Sequence, residues 1–242
     1  MKYIDTTTGQ YMPEQYGCCD RKSNCGYFNA PGSNVPRMTY KPQIELRKDV
    51  FIPNEILHQT LKQYEINTFI QNLLKMAPVN EVEKIISLYY LGTTKNGAIS
   101  MPFIDVSGCV RAIQVKDFDH GNRTTNTTFL HSIIETYHKR KNEALPEWLA
   151  GYLLNESKVS CLFGEHLLKR YPSNVIALIE APKGAIYGSL FFGSPEDPTN
   201  FLWLAVYNLS SLTLKKCMAL KGREVVLFPD LSKTGHAFDL WS

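Results

Sequence analysis

The chain has 242 residues, of which 44% are hydrophobic and 12% aromatic, enough to build a core in one large domain or two small ones. Its composition argues against disorder, and its longest apolar stretches, such as residues 175–179 and 225–228, are far shorter than a membrane span. The net charge of +3 permits nucleic-acid binding without demanding it, and the polar first 20 residues favour a cytoplasmic protein over an exported one.

Cysteines cluster near the N-terminus, where Cys18, Cys19 and Cys25 fall within eight positions. In a reducing compartment, a tight cysteine group followed by glycine is typical of a zinc knuckle, in which thiolates close a tetrahedral site. A full site needs four ligands, and no Cys-x-x-Cys pair precedes this group. A bound zinc, a remnant knuckle and ordinary cysteines in a hairpin all stay open as interpretations.

The first half of the chain changes character after the cysteines. Residues 1–48 are rich in Gly, Pro, Asn and Tyr, which predicts a small β-ribbon followed by an extended connector. Apolar residues at three- and four-residue spacing predict one helix across residues 54–74. Asn80 and Glu83 predict the start of a second helix that ends before Gly92, and we expect the two helices to pack as a hairpin.

Two strands joined by a tight Ser-Gly turn are predicted over residues 99–105 and 110–116. On the second strand, Arg111 and Lys116 alternate with apolar residues, which predicts one buried face and one polar face. We expect a long polar insertion after this hairpin, and then a short helix that opens at Cys161.

Two continuous apolar runs in the last third end in carboxylates, the first at Glu180 and the second at Asp230. Continuous apolar strands are typical of a parallel sheet that is buried on both faces. Ligands of such sheets bind beyond the carboxyl ends of the strands, so these two carboxylates could face one site. Between the two runs the sequence predicts a crossover helix, a third strand and a second crossover, over residues 185–190, 201–206 and 210–220.

The order of these parts resembles the Toprim-domain primase-like proteins with an N-terminal zinc ribbon that Bacteroidetes chromosomes and mobile elements carry. The resemblance covers nearly the whole chain and is carried by Asp-Thr-Thr-Thr-Gly-Gln-Tyr11, Cys19-Asp-Arg, Cys25-Gly-Tyr, Phe163-Gly-Glu-His166, Ile179-Glu180 and Leu227-Phe-Pro-Asp230. It implies an α+β fold in three parts. These are a zinc-ribbon-like remnant with a connector, a helical and β primase-core-like region, and a Toprim-like α/β domain with a parallel sheet, over residues 1–48, 49–170 and 171–242.

In Toprim enzymes a strand-terminal Glu is proposed to act as general acid or base, while an Asp-x-Asp pair holds Mg²⁺. The resemblance assigns the catalytic roles to Glu180 and Asp230, with Asp230 also a magnesium ligand. Ser232 stands in place of the second Asp, and Asp239 could substitute if the following helix turns back. Pro182 departs from the family's Glu loop, the first ribbon knuckle is absent and the chain ends soon after the Asp strand, so we expect a truncated or degenerate member.

The resemblance also implies a polynucleotide partner, single-stranded DNA or RNA, besides replication or mobile-element proteins. The candidate phosphate contacts are Arg111, Lys116, Lys139, Arg140 and Lys141, and the candidate base-stacking side chains are Tyr27, Phe28 and Trp148. The sequence therefore predicts a primase-like nucleic-acid-binding protein which, if active, is a Mg²⁺-dependent nucleotidyl transferase or nuclease. The alternative is a non-catalytic Toprim scaffold for protein–protein interaction.

Overall fold

A computed structural model describes residues 2–19, 25–31, 49–230 and 236–241 of the chain. The chain divides into two units, Met1–Lys48 and Asp49–Ser242. The architecture is α+β, with a two-stranded ribbon in the first unit and a four-stranded antiparallel sheet and a three-stranded parallel sheet in the second. The predicted connector over residues 32–48 lies outside the described residues. None of the helices in the described ranges is long and apolar enough to cross a membrane.

The first unit contains a short antiparallel ribbon, as the turn-rich sequence predicts. Strand β1 (Gly17–Cys18) pairs with strand β2 (Phe28–Asn29), and Cys18 lies opposite Phe28. The Tyr27 hydroxyl and the Asn29 side-chain amide both donate to the Gln15 carbonyl at 2.6 Å, which ties the approach to β1 against the far strand. The result is a zinc-ribbon-like segment around the clustered cysteines.

Three helices open the second unit: α1 (Asn54–His58), α2 (Thr68–Leu74) and α3 (Val79–Tyr89). The prediction of one continuous helix over residues 54–74 is wrong. The chain leaves helical geometry at Gln63, whose φ is +59°, and a new helix starts where the Asn67 side chain accepts the Ile70 N–H at 3.2 Å. Apolar spacing alone could not detect this break, because both halves bury the same kind of residue.

The antiparallel sheet has the order β3-β4-β5-β6, with strands β3 (Gly92–Thr93), β4 (Ile99–Ile104), β5 (Val110–Phe118) and β6 (Thr124–Phe129). The predicted β4–β5 hairpin is confirmed, and Gly108 supplies the positive φ of +84° that its turn requires. The segment predicted as a polar insertion contains β6 and the helices α4 (Leu130–Lys141) and α5 (Glu147–Leu153), which the sequence did not predict. The sequence of β6 is polar because residues 124–127 are exposed at the edge of the sheet.

The parallel sheet has the order β8-β7-β9, with strands β7 (Ile176–Ile179), β8 (Leu202–Ala205) and β9 (Val225–Phe228). Helix α6 (Pro182–Phe192) connects β7 to β8. The predicted second crossover consists of short pieces: a 3-10 turn at Leu209–Ser211, helix α7 (Leu214–Cys217) and a 3-10 turn at Met218–Leu220. Helix α8 (His236–Trp241) follows.

The Phe-Gly-Glu-His motif lies at the outer edge of this sheet, where Phe163 pairs antiparallel with Ala205 of β8. The buried Phe163 ring stacks on Tyr89 of α3, with ring centroids 4.8 Å apart. The motif therefore links the parallel sheet to the helices of the same unit.

One continuous hydrophobic core joins helices α2 and α3, both sheets and α6. Tyr89 lies at its centre with no exposed surface, and its hydroxyl hydrogen-bonds to Ser189 of α6 at 2.7 Å and donates to the Trp203 carbonyl of β8 at 2.8 Å. A smaller cluster packs α1 and α5 against β5. The core runs across residue 170, and a domain boundary at that position stays a prediction.

Gly188 of α6 packs against Trp203 of β8, and a Cβ atom at this position would overlap the indole ring. We expect Gly188→Ala to destabilise the protein by roughly 1–3 kcal/mol, because overpacking forces a rigid ring out of its position. Urea denaturation followed by circular dichroism measures the change. Gly121→Ala is the control, since its Cβ would lie 3.3 Å from a movable Asp119 oxygen. Equal stability of both variants would contradict the packing described here.

Candidate functional site

Glu180 and Asp230 lie at the same edge of the parallel sheet. Glu180 directly follows β7 and Asp230 comes two residues after β9, and these two strands are hydrogen-bonded neighbours with Ile179 opposite Phe228. From β7 the chain goes first to β8 on one side and then to β9 on the other. The crevice beyond the carboxyl ends of β7 and β9 is therefore a topological switch point, the usual ligand position in open α/β sheets.

The Glu180 carboxylate is half-buried and lies close enough to Asp230 for the two charges to repel. Burial first, and then the Asp230 charge, raise the pKa of Glu180 above its ordinary value. A hydrogen bond from the Leu209 backbone N–H and the Lys116 charge act in the opposite direction. Glu180 is thus poised to share a proton or a cation at this edge of the sheet.

Two lysines from different elements border the same crevice. Lys116 comes from β5 of the antiparallel sheet, and its pKa is lowered by burial and then by the charge of Lys183, while the Glu180 charge raises it. Lys183 lies in the first turn of α6, where its ammonium donates to the Asn122 carbonyl at 2.6 Å and lies 5.2 Å from the centre of the Phe118 ring. Within the described part of the chain, Lys116 has no hydrogen-bond or ion-pair partner, so its charge is available to a ligand.

The backbone beside Glu180 is strained at Tyr207, a non-glycine residue whose φ is +124°. The Tyr207 N–H donates to the Glu180 carbonyl at 3.0 Å, and the buried Lys216 ammonium donates to the preceding carbonyl, that of Val206, at 3.0 Å. Such conformations cost on the order of 1–3 kcal/mol and concentrate at functional sites. Sequence reasoning missed Lys216 and Tyr207, because neither belongs to a local motif.

The predicted phosphate contacts do not form one group. Arg111 is five positions from Lys116, and side chains five apart point to opposite faces of a strand. Its guanidinium forms ion pairs with Asp105 at 2.6 Å and Asp49 at 2.8 Å and lies 4.4 Å from the centre of the Phe51 ring. The prediction that β5 carries one polar face is therefore wrong, and Lys116 alone of this pair borders the crevice.

The other predicted basic residues lie in the last turn of α4. Lys139 pairs with Glu135 at 2.6 Å, whereas Arg140 and Lys141 are exposed. Basic side chains at a helix C-terminus also interact favourably with the helix dipole, which accounts for their position without a ligand. Their contact with nucleic acid stays a prediction.

A third carboxylate does not join the crevice from Asp239, which is exposed on α8. Among the residues that the structure describes, no group of three or more His, Cys, Asp or Glu side chains could hold a metal ion. Ser232 lies outside the described residues. Mg²⁺ often binds through one or two carboxylates completed by water and substrate phosphates, so Glu180 and Asp230 fit an ion that arrives with phosphate.

The cysteine cluster places two thiols next to each other. The Cys25 thiolate accepts hydrogen bonds from the Tyr27 backbone N–H and then from the Cys19 side chain, and both lower the pKa of Cys25. The Cys19 backbone N–H in turn donates to the Tyr27 carbonyl at 3.1 Å. The Cys18 thiol donates to the Cys19 carbonyl at 3.6 Å. Zinc bound by these cysteines stays a prediction.

Residues 67–231 match the family described as a domain of unknown function (DUF6371). This match covers more than half of the chain, and the protein belongs to that family. Residues 1–39 match the family described as "Zinc beta-ribbon finger, putative", in agreement with the predicted N-terminal ribbon. Neither family description names a Toprim or a primase domain. No curated protein and no solved structure matches the chain.

The raised pKa of Glu180 predicts how the stability of the folded protein depends on pH. Since the pKa of Glu180 is raised in the folded protein, its ionisation costs stability as the pH rises through that value. Glu180→Gln removes the charge while keeping an oxygen that accepts the Leu209 N–H. In a metal-free buffer we expect the variant to melt above the wild type near pH 8, and the difference to disappear below the ordinary glutamate pKa of about 4.3.

Differential scanning fluorimetry across pH measures this effect. Glu224→Gln, at an exposed glutamate just before β9, is the matched control and should leave the profile unchanged. A melting temperature of Glu180→Gln that falls below the wild type at pH 8 would show that the pKa of Glu180 is not raised in the folded protein.

Proposed function

We propose that the protein is a primase-like nucleic-acid-binding protein whose crevice between β7 and β9 is a Toprim-type, Mg²⁺-dependent phosphate site. One observation carries the proposal: Glu180 and Asp230 meet at the switch point of the parallel sheet, and Lys116 and Lys183 border the same crevice. Paired carboxylates beside lysines are suited to phosphodiesters, because the lysines attract phosphate oxygens and the carboxylates hold a cation between them and the phosphate.

The chain's own residues have separable tasks in this proposal. Lys116 and Lys183 hold the phosphate, while Asp230, exposed at the end of β9, and Glu180 provide the oxygen ligands. Mg²⁺ bound there would neutralise negative charge on the phosphate during nucleotidyl transfer or strand cleavage. Before a cation binds, the raised pKa of Glu180 favours its protonated form more than in an ordinary glutamate, which makes it the candidate to take up or return a proton.

The described carboxylates number two at this crevice, one fewer than the Toprim pattern requires, which favours binding over rapid turnover. A binding module and an enzyme should respond differently to the substitution Glu180→Gln. For a binding module, affinity survives Glu180→Gln, whereas for an enzyme Mg²⁺-dependent turnover is lost. The alternative, a Toprim-shaped scaffold for protein partners, predicts neither binding nor turnover.

Binding of a labelled single-stranded oligonucleotide across a salt series tests the proposed function. We expect the logarithm of the association constant to fall linearly with the logarithm of salt concentration. Lys116→Met should reduce the steepness of this line by about 0.7, the contribution of one lost phosphate contact on a single strand. Lys84→Met is the control, because that exposed lysine of α3 pairs with Glu81 at 3.0 Å and is no candidate phosphate contact. Absence of binding at low salt would overturn the proposal and leave the scaffold interpretation.

Magnesium should stabilise the folded protein through the two carboxylates. With Mg²⁺ at ten times its dissociation constant, the gain is about 1.4 kcal/mol. The rise in melting temperature should be present in the wild type and in Glu224→Gln, and absent in Glu180→Gln and Asp230→Asn. Calorimetric titration with Mg²⁺, with and without an oligonucleotide, measures the same site directly. An equal response of all four proteins would exclude the crevice as the magnesium site.

A further inference from the structure

Helix α6 begins at the crevice and carries three side chains four residues apart, Lys183, Tyr187 and Phe191. Side chains at this spacing share one face of a helix, and a rise of 1.5 Å per residue spreads the three over about 12 Å. Lys183 follows Glu180 by three residues and lies in the first turn of the helix, and Phe191 lies at the far end. The face thus leads from the phosphate site out along the surface of the second unit.

The two aromatic rings on this face are nearly parallel. The Tyr187 and Phe191 ring centroids are 5.8 Å apart with an interplanar angle of 13°, and the Lys183 ammonium lies 5.9 Å from the centre of the Tyr187 ring. Phe191 is 56% exposed. A large apolar ring that is displayed in this way, next to a second parallel ring, presents an open π-face to solvent.

Tyr187 is held in place from the sides. Its hydroxyl accepts a hydrogen bond from the Asn122 side-chain amide at 2.6 Å, and its ring meets the Phe69 ring edge-on at 6.1 Å and 86°. Asn122 belongs to the β5–β6 loop, whose carbonyl also holds Lys183. The orientation of the aromatic face is therefore fixed by the fold before any ligand arrives, which reduces the entropy lost on binding.

The neighbouring residue, Phe192, provides an internal comparison. It is 66% exposed, yet its ring stacks on Trp203 of the parallel sheet, with centroids 5.6 Å apart and an angle of 28°. Phe192 is thus accounted for by packing against the sheet. Phe191, by contrast, stacks on Tyr187, which lies on the face that leads to the crevice.

We propose that the Lys183-Tyr187-Phe191 face of α6 is a track for single-stranded nucleic acid, on which bases stack while the crevice lysines hold the phosphates. This inference rests on the proposed function and specifies the ligand as a single strand with accessible bases. Two features favour this occupant: the parallel rings offer stacking surface to bases, and Lys116 and Lys183 offer positive charge to phosphates at the crevice end. Three carboxylates lie near these lysines, those of Asp119, Glu180 and Asp230, so a divalent cation is needed to offset the excess negative charge.

The test compares Phe191→Ala with Phe192→Ala in the oligonucleotide salt series, using the full chain. Loss of one base-stacking ring should weaken binding by about five- to a hundredfold. The steepness of the salt line should not change, because no phosphate contact is lost. Phe192→Ala should bind within about twofold of the wild type. Phe191→Leu, which keeps apolar bulk without a π-face, should behave like Phe191→Ala, and melting temperatures confirm that each variant is folded.

A second measurement uses an oligonucleotide containing 2-aminopurine, whose fluorescence reports stacking, and we expect the wild type but not Phe191→Ala to quench it. Wild-type affinity in Phe191→Ala, with normal salt dependence in both proteins, would overturn the track and leave the proposed function standing. Absence of binding by the wild type itself would overturn both. Loss of a dimer in Phe191→Ala, seen by sedimentation with unchanged oligonucleotide affinity, would assign the face to a second copy of the chain and overturn the track.

Discussion

The parallel pairing of β7 with strands on both sides is the constraint on which the rest of the second unit depends. Ile179 lies opposite Ala205 on one side and Phe228 on the other, so the next residue, Glu180, is held at a fixed height above the sheet. The ladder continues past the strand, where the N–H groups of Val206 and Tyr207 donate to the carbonyls of Ile179 and Glu180. Parallel neighbours need a crossover connection, and α6 provides it while beginning at the same edge.

The buried Tyr89 side chain connects elements within the hydrophobic core that both sheets share. Its hydroxyl forms hydrogen bonds with the Ser189 hydroxyl and the Trp203 carbonyl, and its ring stacks on Phe163 at the sheet edge. An unpaired hydroxyl at this depth would be costly, and these contacts orient α3, α6 and β8 together. With the core arranged in this way, β5 brings Lys116 to the carboxyl ends of a sheet to which it does not belong.

The electrostatics of the crevice limit what can bind there. Two carboxylates at adjacent strand ends repel each other, and the nearby Lys116 offsets part of the Glu180 charge. In the proposed function, a bound cation would offset the negative charges of the two carboxylates, and a phosphate would offset the positive charges of the lysines. These features define a class of site, and the same topology is compatible with more than one reaction.

The amino-acid sequence by itself determined the local features of this protein: the β4–β5 hairpin, the apolar strands that end in Glu180 and Asp230, and the clustered cysteines. It indicated these because strand period, turn chemistry and cysteine spacing are encoded within a few neighbouring residues. Tertiary structure alone decided that Lys116 and Lys183 meet at the crevice, that Arg111 turns away into an ion pair, and that an exposed Thr-rich segment is an edge strand. The first two outcomes depend on contacts between distant residues, such as Lys183 with Asn122 and Arg111 with Asp49, which local patterns do not contain. The third depends on the pairing of β6 with β5, which a polar sequence does not indicate.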